Sequence, residues 1–325
     1  MKLTAGRVTA LVVCVIACGN PGAGARKERV TIPRGATLSA VADTLHAHRV
    51  IRSPRLFKLY ATVSGSQREI QAGTFEFAVG ASMGQVLETL VSGTEVLESL
   101  SIPEGLMLSE IAQRIRQQIG IDSQAFMIAA RDSELLDQVG APADNLEGYL
   151  YPSTYYVATH ATALDVVRQM VEEFELRWRA AWNHRLTELG MTRHEIVILA
   201  SIIEAEVRFR PDGKFVSSVY HNRLARRMRL QADPTVIYAL GRRRRLYERD
   251  YQIRSPYNTY LIDGLPPGPI SQPSEASLEA ALFPANTDFL FFVARPDGKH
   301  IFSRTHREHL AAVAEVRREE QGQRD

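Results

Sequence analysis

Cysteine is nearly missing from this chain of 325 residues, which contains only two cysteines, Cys14 and Cys18. Both lie within the first 25 residues, so the rest of the chain cannot form a disulfide. A cysteine-free body must be held together by its hydrophobic core alone. The length exceeds that of a typical single domain and predicts two or three packed units.

Motifs that bind metals and nucleotides are missing as well. The sequence has no Walker loop, no GxGxxG after a strand, no CxxC and no HExxH, so we expect no metal and no cofactor. The formal net charge is only +2, which gives no reason to expect nucleic acid as a partner. Neither the composition nor these motifs therefore indicate nucleotide, nucleic acid or zinc chemistry.

The apolar run at the N-terminus is too short for a comfortable membrane span, which needs roughly 20 residues. It covers residues 8–18, follows Lys2 and Arg7, and is broken by glycine and proline at 19–22, which is the layout of an export signal. The run also resembles a bacterial lipobox, in which Cys18 would be lipidated after cleavage. An uncleaved N-terminal anchor is the alternative. Either anchor predicts attachment to the bacterial cell (inner) membrane, with the body on the periplasmic or extracytoplasmic side.

An internal repeat occupies the start of the body. The stretch VTIPRGATLSAVADTL (30–45) recurs as LSIPEGLMLSEIAQRI (100–115). Each copy has the pattern of a short strand, a Pro-x-Gly turn and a helix with apolar residues at helical spacing. A second helical stretch follows each copy, at 54–63 and at 123–131.

A strand signal closes each copy, at 73–77 and at 147–151. The order strand, helix, helix, strand over about this length resembles the LysM module, a small extracellular binder of N-acetylglucosamine polymers. Without that resemblance, the pattern indicates only a small α+β unit. One more short amphipathic helix is predicted between the copies, at 82–91.

A helix predicted at 194–207, HEIVILASIIEAEV, is the element around which the chain is organised. It is apolar from 196 to 203 apart from Ser201, so we expect it to be buried on all sides. Glu204 and Glu206 stand at its C-terminal end. Residues two apart on a helix point about 200° away from each other, so the two carboxylates cannot share one task.

Glu204 continues a stripe of small side chains formed by Val197, Ala200 and Ser201, which leaves room beside the carboxylate. Burial and the negative end of the helix dipole both disfavour the ionised form, so we expect a raised pKa for Glu204. A carboxylic acid that stays protonated near neutral pH is what general-acid chemistry requires. The alternative is a Glu that turns into water at the end of the helix.

Further helices are predicted at 164–189, 214–229 and 305–321. The first of them carries Trp178 and Trp182 four apart on one face. The pair could form a sugar-stacking platform, but the preferred interpretation is a pair that faces the core.

The segments around these helices carry three smaller predictions. Asp233, which precedes a proline, is a credible N-cap of a short helix. A β-hairpin is predicted from 289–294 and 299–303. His306 and His309 lie on the last helix without a partner pattern and are interpreted as solvated.

Motifs spread over the second half of the chain resemble the endolytic murein transglycosylase family (MltG, YceG-like). They are ILASIIEAE (198–206), YHNRL (220–224), MRLQADPTVIY (228–238), PYNTY (256–260) and GLPPGPI (264–270). The resemblance extends from about residue 30 to about residue 315. It implies a membrane-proximal anchor, a LysM-like subdomain and a catalytic acid at the first Glu of the motif, Glu204. Ala205 and Ala232 depart from the common pattern, which has a Lys and a Thr at these positions.

The resemblance also implies a reaction. Lytic transglycosylases cut the β-1,4 bond between N-acetylmuramic acid and N-acetylglucosamine without water and leave 1,6-anhydro-N-acetylmuramic ends. One carboxyl group protonates the leaving oxygen and then, as carboxylate, takes the proton of the muramic C6 hydroxyl. The expected substrate is the glycan strand of nascent peptidoglycan, the expected role is to terminate strand elongation, and peptidoglycan synthases at the membrane are candidate partners.

Six residues are candidates for substrate binding. Gln231, Tyr257 and Asn258 are expected to bind the N-acetyl groups and orient the sugar, and Asp233, Asn222 and Glu206 are the further candidates. Two other functions stay open. One is a hydrolase of the same polymer with Asp233 or Asp250 as a second acid. The other is a noncatalytic wall-binding scaffold built on the two strand–helix units.

The predicted fold is α+β, with LysM-like strand–helix–helix–strand subdomains followed by a mainly helical catalytic domain that ends in a β-hairpin. The predicted boundaries are 1–25 for the anchor, 26–98 for the LysM-like subdomain, 99–156 for the second repeat, which links to the catalytic part, 157–320 for the catalytic domain and 321–325 for a tail.

Overall fold

The computed structural model describes residues 26–93 and 95–322. This part of the chain is a mixed α and β structure, rich in helix and with three two-stranded sheets, which confirms the predicted α+β class. The chain divides into two compact units, residues 26–98 with 158–160, and residues 99–157 with 161–322. Each unit has a hydrophobic core of its own.

The first unit is built from two strands and three helices. Its elements are β1 (Lys27–Ile32), α1 (Leu38–Ala47), α2 (Pro54–Val63), β2 (Gly73–Ala78) and α3 (Met83–Ser92). Strands β1 and β2 pair antiparallel with Val30 opposite Phe75, and both of these side chains are fully buried. The predicted order strand, helix, helix, strand is confirmed for residues 30–77.

The second unit contains most of the helices. Its first half has β3 (Leu97–Ser101), which brings the chain from the first unit, α4 (Leu108–Ile119), α5 (Ser123–Ala129), α6 (Ser133–Val139) and β4 (Thr154–Ala158), which pairs with β3. Its second half has α7 (Ala163–Arg177), α8 (Ala180–Leu189), α9 (Arg193–Glu206), α10 (Gly213–Ala225), α11 (Asp233–Ala239), α12 (Glu275–Leu282), β5 (Phe291–Ala294), β6 (His300–Ser303) and α13 (His306–Gly322).

The second copy of the repeat departs from the first after its second helix. An extra helix, α6, is present, and the strand predicted at 147–151 is wrong, because the strand of this region is β4, at 154–158. Residues 147–151 form a buried turn instead, with Gly148 at φ +85°. The run is apolar because it is enclosed on all sides, and a left-handed residue cannot continue a strand.

The turn at 147–151 also carries a buried carboxyl group. Glu147 is 4 % exposed, accepts hydrogen bonds from the Leu108 amide at 3.1 Å and from Gln272 Nε2 at 2.6 Å, and burial raises its pKa to about 8. Gln272 in turn accepts a hydrogen bond from the Leu150 amide at 2.9 Å. These bonds connect the start of α4 to the loop before α12.

The long helix predicted at 164–189 is two helices, α7 and α8, because the backbone becomes extended at Trp178. Trp178 and Trp182 meet edge to face with ring centroids 5.2 Å apart, and Trp182 is only 2 % exposed. The preferred interpretation of this pair as core-facing is therefore confirmed, and a sugar-stacking platform is excluded for Trp182.

Helix α9 lies at the centre of the second unit, and residues 196–203 are buried without a gap, as predicted. Thr192 and Glu195 form a capping box at its start. Ser201, the one polar residue in the apolar run, accepts a hydrogen bond from the Ile270 amide at 3.0 Å. The backbone of the 264–270 loop is thereby attached to the middle of the helix.

The C-terminal hairpin is confirmed, since β5 and β6 pair antiparallel with Phe292 opposite Phe302. No helix in the described residues is long and apolar enough to cross a membrane. The predicted anchor, with the lipidation candidate Cys18, lies in residues 1–25, outside the described part of the chain.

The turn at Gly148 provides a test of this packing. A Cβ atom at Gly148 would lie 2.5 Å from Pro269 Cβ and 2.9 Å from Val197 Cγ1 on α9. Gly140 also has a positive φ, but a Cβ there would meet nothing within 4 Å. We expect Gly140→Ala to lower the free energy of unfolding by about 1–2 kcal/mol through backbone strain. Gly148→Ala should cost about 1–3 kcal/mol more through overpacking. Denaturant titration measures both, and equal losses would contradict the close approach of the turn to α9.

Candidate active site

A cavity of about 370 Å³ opens beside the last residue of α9, Glu206. Its walls come from α9, α10, the start of α11, the loop that contains Tyr260, the hairpin strand β5 and α13. The residues that line it are Glu206, Arg223, Leu230, Gln231, Asp233, Tyr260, Phe291, Phe292, Val293, Ala294, His306 and His309.

Glu206 has the electrostatic surroundings that the sequence analysis expected for Glu204. Burial raises the pKa of Glu206 to about 7, and the nearby charge of Asp233 acts in the same direction. Tyr220 donates a hydrogen bond to Glu206 Oε1 at 3.1 Å, which opposes part of the shift. A carboxylic acid with a pKa near neutrality can both donate and accept a proton at the working pH of most enzymes.

Asp233 faces the same cavity, and the prediction that it caps a helix is wrong. Helix α11 begins at Asp233 itself, the cap position is occupied by Ala232, and no side chain caps the helix. The Asp233 carboxylate instead accepts hydrogen bonds from Tyr260 at 2.7 Å and from Tyr251 at 3.3 Å. The carboxylate is thereby held by two hydroxyl groups at the cavity wall, which leaves it available for chemistry.

Glu204 points to another side of α9, as the helical geometry predicts. Its Oε2 accepts hydrogen bonds from the Ser274 amide at 2.9 Å, the Ser274 hydroxyl at 2.5 Å and the Ser277 hydroxyl at 2.8 Å. Ser274 is the N-cap of α12, so the Glu204 carboxylate lies at the positive end of that helix. It also borders a separate cavity of about 220 Å³ with Glu104, Arg208 and Arg210 along its edge. Glu204 therefore attaches α9 to the start of α12.

The two asparagines predicted to bind substrate bond to backbone groups. Asn222 Nδ2 donates to the carbonyls of Thr287 and Phe289, both at 2.9 Å. Asn258 is fully buried, its Nδ2 donates to the carbonyls of Tyr251 and Ile253, and its Oδ1 accepts from the Tyr260 amide. Neither residue lines the Glu206 cavity. Their contacts fix the loops that place the cavity walls.

Tyr257 is also away from the cavity. Its ring packs against Tyr238 with centroids 4.7 Å apart, and neither ring lines the cavity. Of the six candidates for substrate binding, the structure brings Gln231, Asp233 and Glu206 together and leaves Tyr257, Asn222 and Asn258 in supporting positions.

Several residues of the cavity were not singled out from the sequence. Arg223 and Tyr260 stand inside the motifs YHNRL and PYNTY, but no pattern assigned them a role. The prediction that His309 is solvated is wrong, because its ring stacks on Phe291 at 5.3 Å between centroids and its Nδ1 is buried. The only signal in the sequence was the spacing of His306 and His309, three residues apart on one helix. Their position in the cavity wall depends on the hairpin strand β5, which packs beside them.

Asp250, the other acid considered from the sequence, has a structural role. It is 6 % exposed and accepts hydrogen bonds from Arg244 and from the Tyr247 amide, and these lower its pKa to about 2. Among the described residues, no group of three or more His, Cys, Asp and Glu side chains could hold a metal ion.

A partly buried carboxyl group with a pKa near neutrality, open to a cavity lined by polar and aromatic side chains, has the features that general acid–base catalysis requires. The YceG-like family model matches residues 30–315, and the chain belongs to this family.

Characterised relatives agree with this membership. The chain is 32% identical over 300 residues to the endolytic murein transglycosylase of Bacillus subtilis, with 87% of this chain and 83% of that protein covered. It is 28% identical over 319 residues to the endolytic murein transglycosylase of Streptococcus pneumoniae, of whose length it spans 58%. A crystal structure of a YceG-like protein from Listeria monocytogenes is 34% identical, with a TM-score of 0.62 and coverage of 89% of this chain and all of that one.

The pKa of Glu206 generates a stability prediction. Between pH 4.5 and about 7 the folded protein keeps a proton that the unfolded chain has lost, so this group lowers the free energy of unfolding as the pH rises. Glu206→Gln removes the titration. We expect the melting temperature of the variant, measured relative to that of the wild type, to rise between pH 4.5 and 7. Above pH 7 the difference between the two proteins should stay constant. Glu315→Gln, at an exposed position of α13, is the control and should follow the wild type. A Glu206→Gln profile parallel to the wild type would contradict the raised pKa.

Proposed function

We propose that this protein is a peptidoglycan lytic transglycosylase whose proton donor and acceptor is Glu206. The observation that carries the proposal is the position of Glu206, a carboxyl group with a pKa of about 7 that borders the cavity. The relatives named endolytic murein transglycosylase supply the substrate class, which is the glycan strand of peptidoglycan.

The reaction needs one acid that later acts as a base. Glu206, protonated in the free enzyme, gives its proton to the oxygen that links the muramic C1 to the next sugar, and the C1–O bond breaks with positive charge on the muramic ring. The Glu206 carboxylate then accepts the proton of the muramic C6 hydroxyl while the C6 oxygen bonds to C1. The products are a 1,6-anhydromuramic end and a new 4-hydroxyl end, and Glu206 is protonated again. No water is consumed.

Asp233 has a supporting electrostatic role in this scheme. Its negative charge is one cause of the raised pKa of Glu206, and the hydroxyls of Tyr260 and Tyr251 hold it in place. The same charge lies at the cavity where an oxocarbenium-like ring develops positive charge, and it would stabilise that ring.

The orientation of Asp233 also keeps a hydrolase as the second candidate. A hydrolase needs a second carboxylate as nucleophile or as the base for water. Asp233 faces the cavity, whereas Asp250 is held by Arg244 away from it. Product analysis separates the two functions, because only the lytic reaction gives anhydromuramic ends, and the hydrolase gives reducing ends.

The contacts of Glu204 support a structural role and not the catalytic one inferred from the sequence. Three donors occupy one of its carboxylate oxygens, and they belong to the N-cap and first turn of α12. A proton donor must be free to approach the glycosidic oxygen.

Paired substitutions test which Glu acts. Glu206→Gln keeps the size of the side chain but cannot transfer a proton, and general acid–base catalysis is worth on the order of 10²–10⁴ in rate. We expect anhydromuramic product from purified glycan strands to fall to background with Glu206→Gln, while glycan binding persists.

Glu204→Gln is the matched control on the same helix turn. It should keep most of the activity and lose about 1–3 kcal/mol of stability, because its amide group cannot satisfy all three donors. If Glu204→Gln abolishes cleavage in a folded protein and Glu206→Gln does not, the assignment of the acid is wrong and the sequence-based choice is right.

We also propose that the first unit binds glycan weakly and positions the enzyme on the strand. A cavity of about 140 Å³ lies between the turn after β1 and the segment 67–72, with Gly35, Ala36 and Gln71 on its wall. The LysM-like order of elements is the support for a sugar ligand. Tethering to the membrane through residues 1–25, cleavage within nascent strands and termination of strand elongation stay predictions of the sequence and its resemblance.

A substitution that fills this cavity tests the binding role. Ala36→Arg places a long side chain in the opening, and Ala40→Arg adds the same side chain to an exposed position of α1. We expect Ala36→Arg to weaken cosedimentation with glycan strands severalfold while turnover of short soluble fragments stays near that of the wild type. Ala40→Arg should behave as the wild type. Equal strand affinity for all three proteins would remove the binding role from this cavity.

A further inference from the structure

The Glu206 cavity is lined by basic side chains as well as acidic ones. Arg223 on α10 is 7 % exposed and lines the cavity. Its Nε donates to the Leu290 carbonyl at 2.7 Å, and its Nη1 donates to the Leu230 carbonyl at 2.6 Å. Within the described part of the chain, Nη2 has no hydrogen-bond acceptor and the guanidinium has no ion-pair partner.

A buried guanidinium without an anion is costly, because neutral carbonyls replace only part of its lost hydration. Burial lowers the pKa of Arg223, but an arginine stays charged at physiological pH. The charge of Arg223 lowers the pKa of Glu206, whose net shift is upward because burial dominates, but the two side chains form no ion pair. Arg223 therefore brings to the cavity a charge that forms no ion pair with a carboxylate of the described residues.

A second polar group that lines the cavity also lacks a partner among the described residues. His309 Nδ1 is buried and has no hydrogen bond within the described residues. Its ring stacks on Phe291, and the Arg223 guanidinium lies 5.3 Å from the centroid of that same Phe291 ring. Burial, with help from the charges of Arg223 and His306, lowers the pKa of His309. An anion bound by Arg223 and His309 would raise the pKa values of both side chains.

We propose that the part of the cavity beside Phe291, which Arg223 and His309 both contact, is a subsite for a carboxylate of the glycan strand, bound by Arg223 Nη2 and His309 Nδ1. This inference rests on the proposed function, which supplies the class of substrate. The carboxylate belongs to the muramic residue, either as its lactyl group in a peptide-free strand or as part of its stem peptide.

The subsite gives the strand an orientation. The acidic side chains that line the cavity are Glu206 and Asp233, and its basic side chains are Arg223, His306 and His309. The N-acetylglucosamine residue carries no carboxylate, so a strand shifted by one sugar would leave the Arg223 charge unpaired. Charge complementarity therefore selects the register that places the muramic glycosidic bond at Glu206.

The experiment compares three strands of equal length. One is peptide-free with lactyl carboxylates, one has these carboxylates converted to methylamides, and one keeps its stem peptides. We expect the wild type to cleave at least one carboxylate-bearing strand with a kcat/KM about tenfold or more above that of the methylamide strand, because a charged hydrogen-bonding partner is lost. The carboxylate-bearing strand that shows the higher kcat/KM identifies the source of the carboxylate.

Two variants test the residues. His309→Phe keeps the ring stacked on Phe291 and removes both nitrogens, and Arg223→Gln removes the charge. Both should bring the ratio of kcat/KM between the carboxylate-bearing strands and the methylamide strand close to one. Arg226→Gln, exposed and three residues farther along the same chain segment, is the control and should keep the wild-type ratio.

Binding of the same strands to Glu206→Gln protein separates this inference from the proposed function. If the wild type cleaves none of the strands, the ratio of dissociation constants still reports the carboxylate preference. Equal kcat/KM values of the wild type for all three strands, together with equal dissociation constants, would overturn the subsite. A preference that survives both His309→Phe and Arg223→Gln would also overturn it.

Discussion

The complete burial of helix α9 is the constraint on which the second unit depends. Residues 196–203 are apolar and enclosed on every side, and each large aliphatic side chain buried there contributes about 1.5–3 kcal/mol. A helix with no face in water must be surrounded, so α10, α11 and α12 all pack against it. The last turn of α9, which carries Glu204 and Glu206, is therefore packed against other elements of the unit.

The two glutamates differ because different elements meet the two sides of the helix end. Glu204 meets the N-terminus of α12, where a peptide amide and two hydroxyls bind its carboxylate. Glu206 meets a cavity, one tyrosine hydroxyl and the charge of Asp233. The same residue type thus bonds to the start of a helix on one side and borders a cavity on the other, because different chain segments pack against the two sides of α9.

Much of the polar sequence around the site is used to build it. Asn222 and Asn258 hold backbone carbonyls of neighbouring loops, and Ser201 holds the backbone amide of Ile270. Loop backbones that run through a protein interior need such partners for their polar groups. These hydrogen bonds fix the loops that form the cavity wall, and Tyr260 and Gln231 line the cavity.

The sequence by itself determined the elements whose signals are local. Apolar spacing predicted α1, α2 and α9, and the hairpin β5–β6 followed from two strand patterns around a turn. Helical geometry alone predicted that Glu204 and Glu206 point to different sides. The family followed from the motif series, because it depends on residue identity and spacing only. Only the tertiary structure decided that the pKa of Glu206 is raised and that Asp233 faces the cavity. It also decided that His309 and Arg223 both contact the Phe291 ring in the cavity wall. These properties come from α12, the hairpin and α13, which are distant in sequence, and burial and electrostatic fields depend on distances in space that no local pattern encodes.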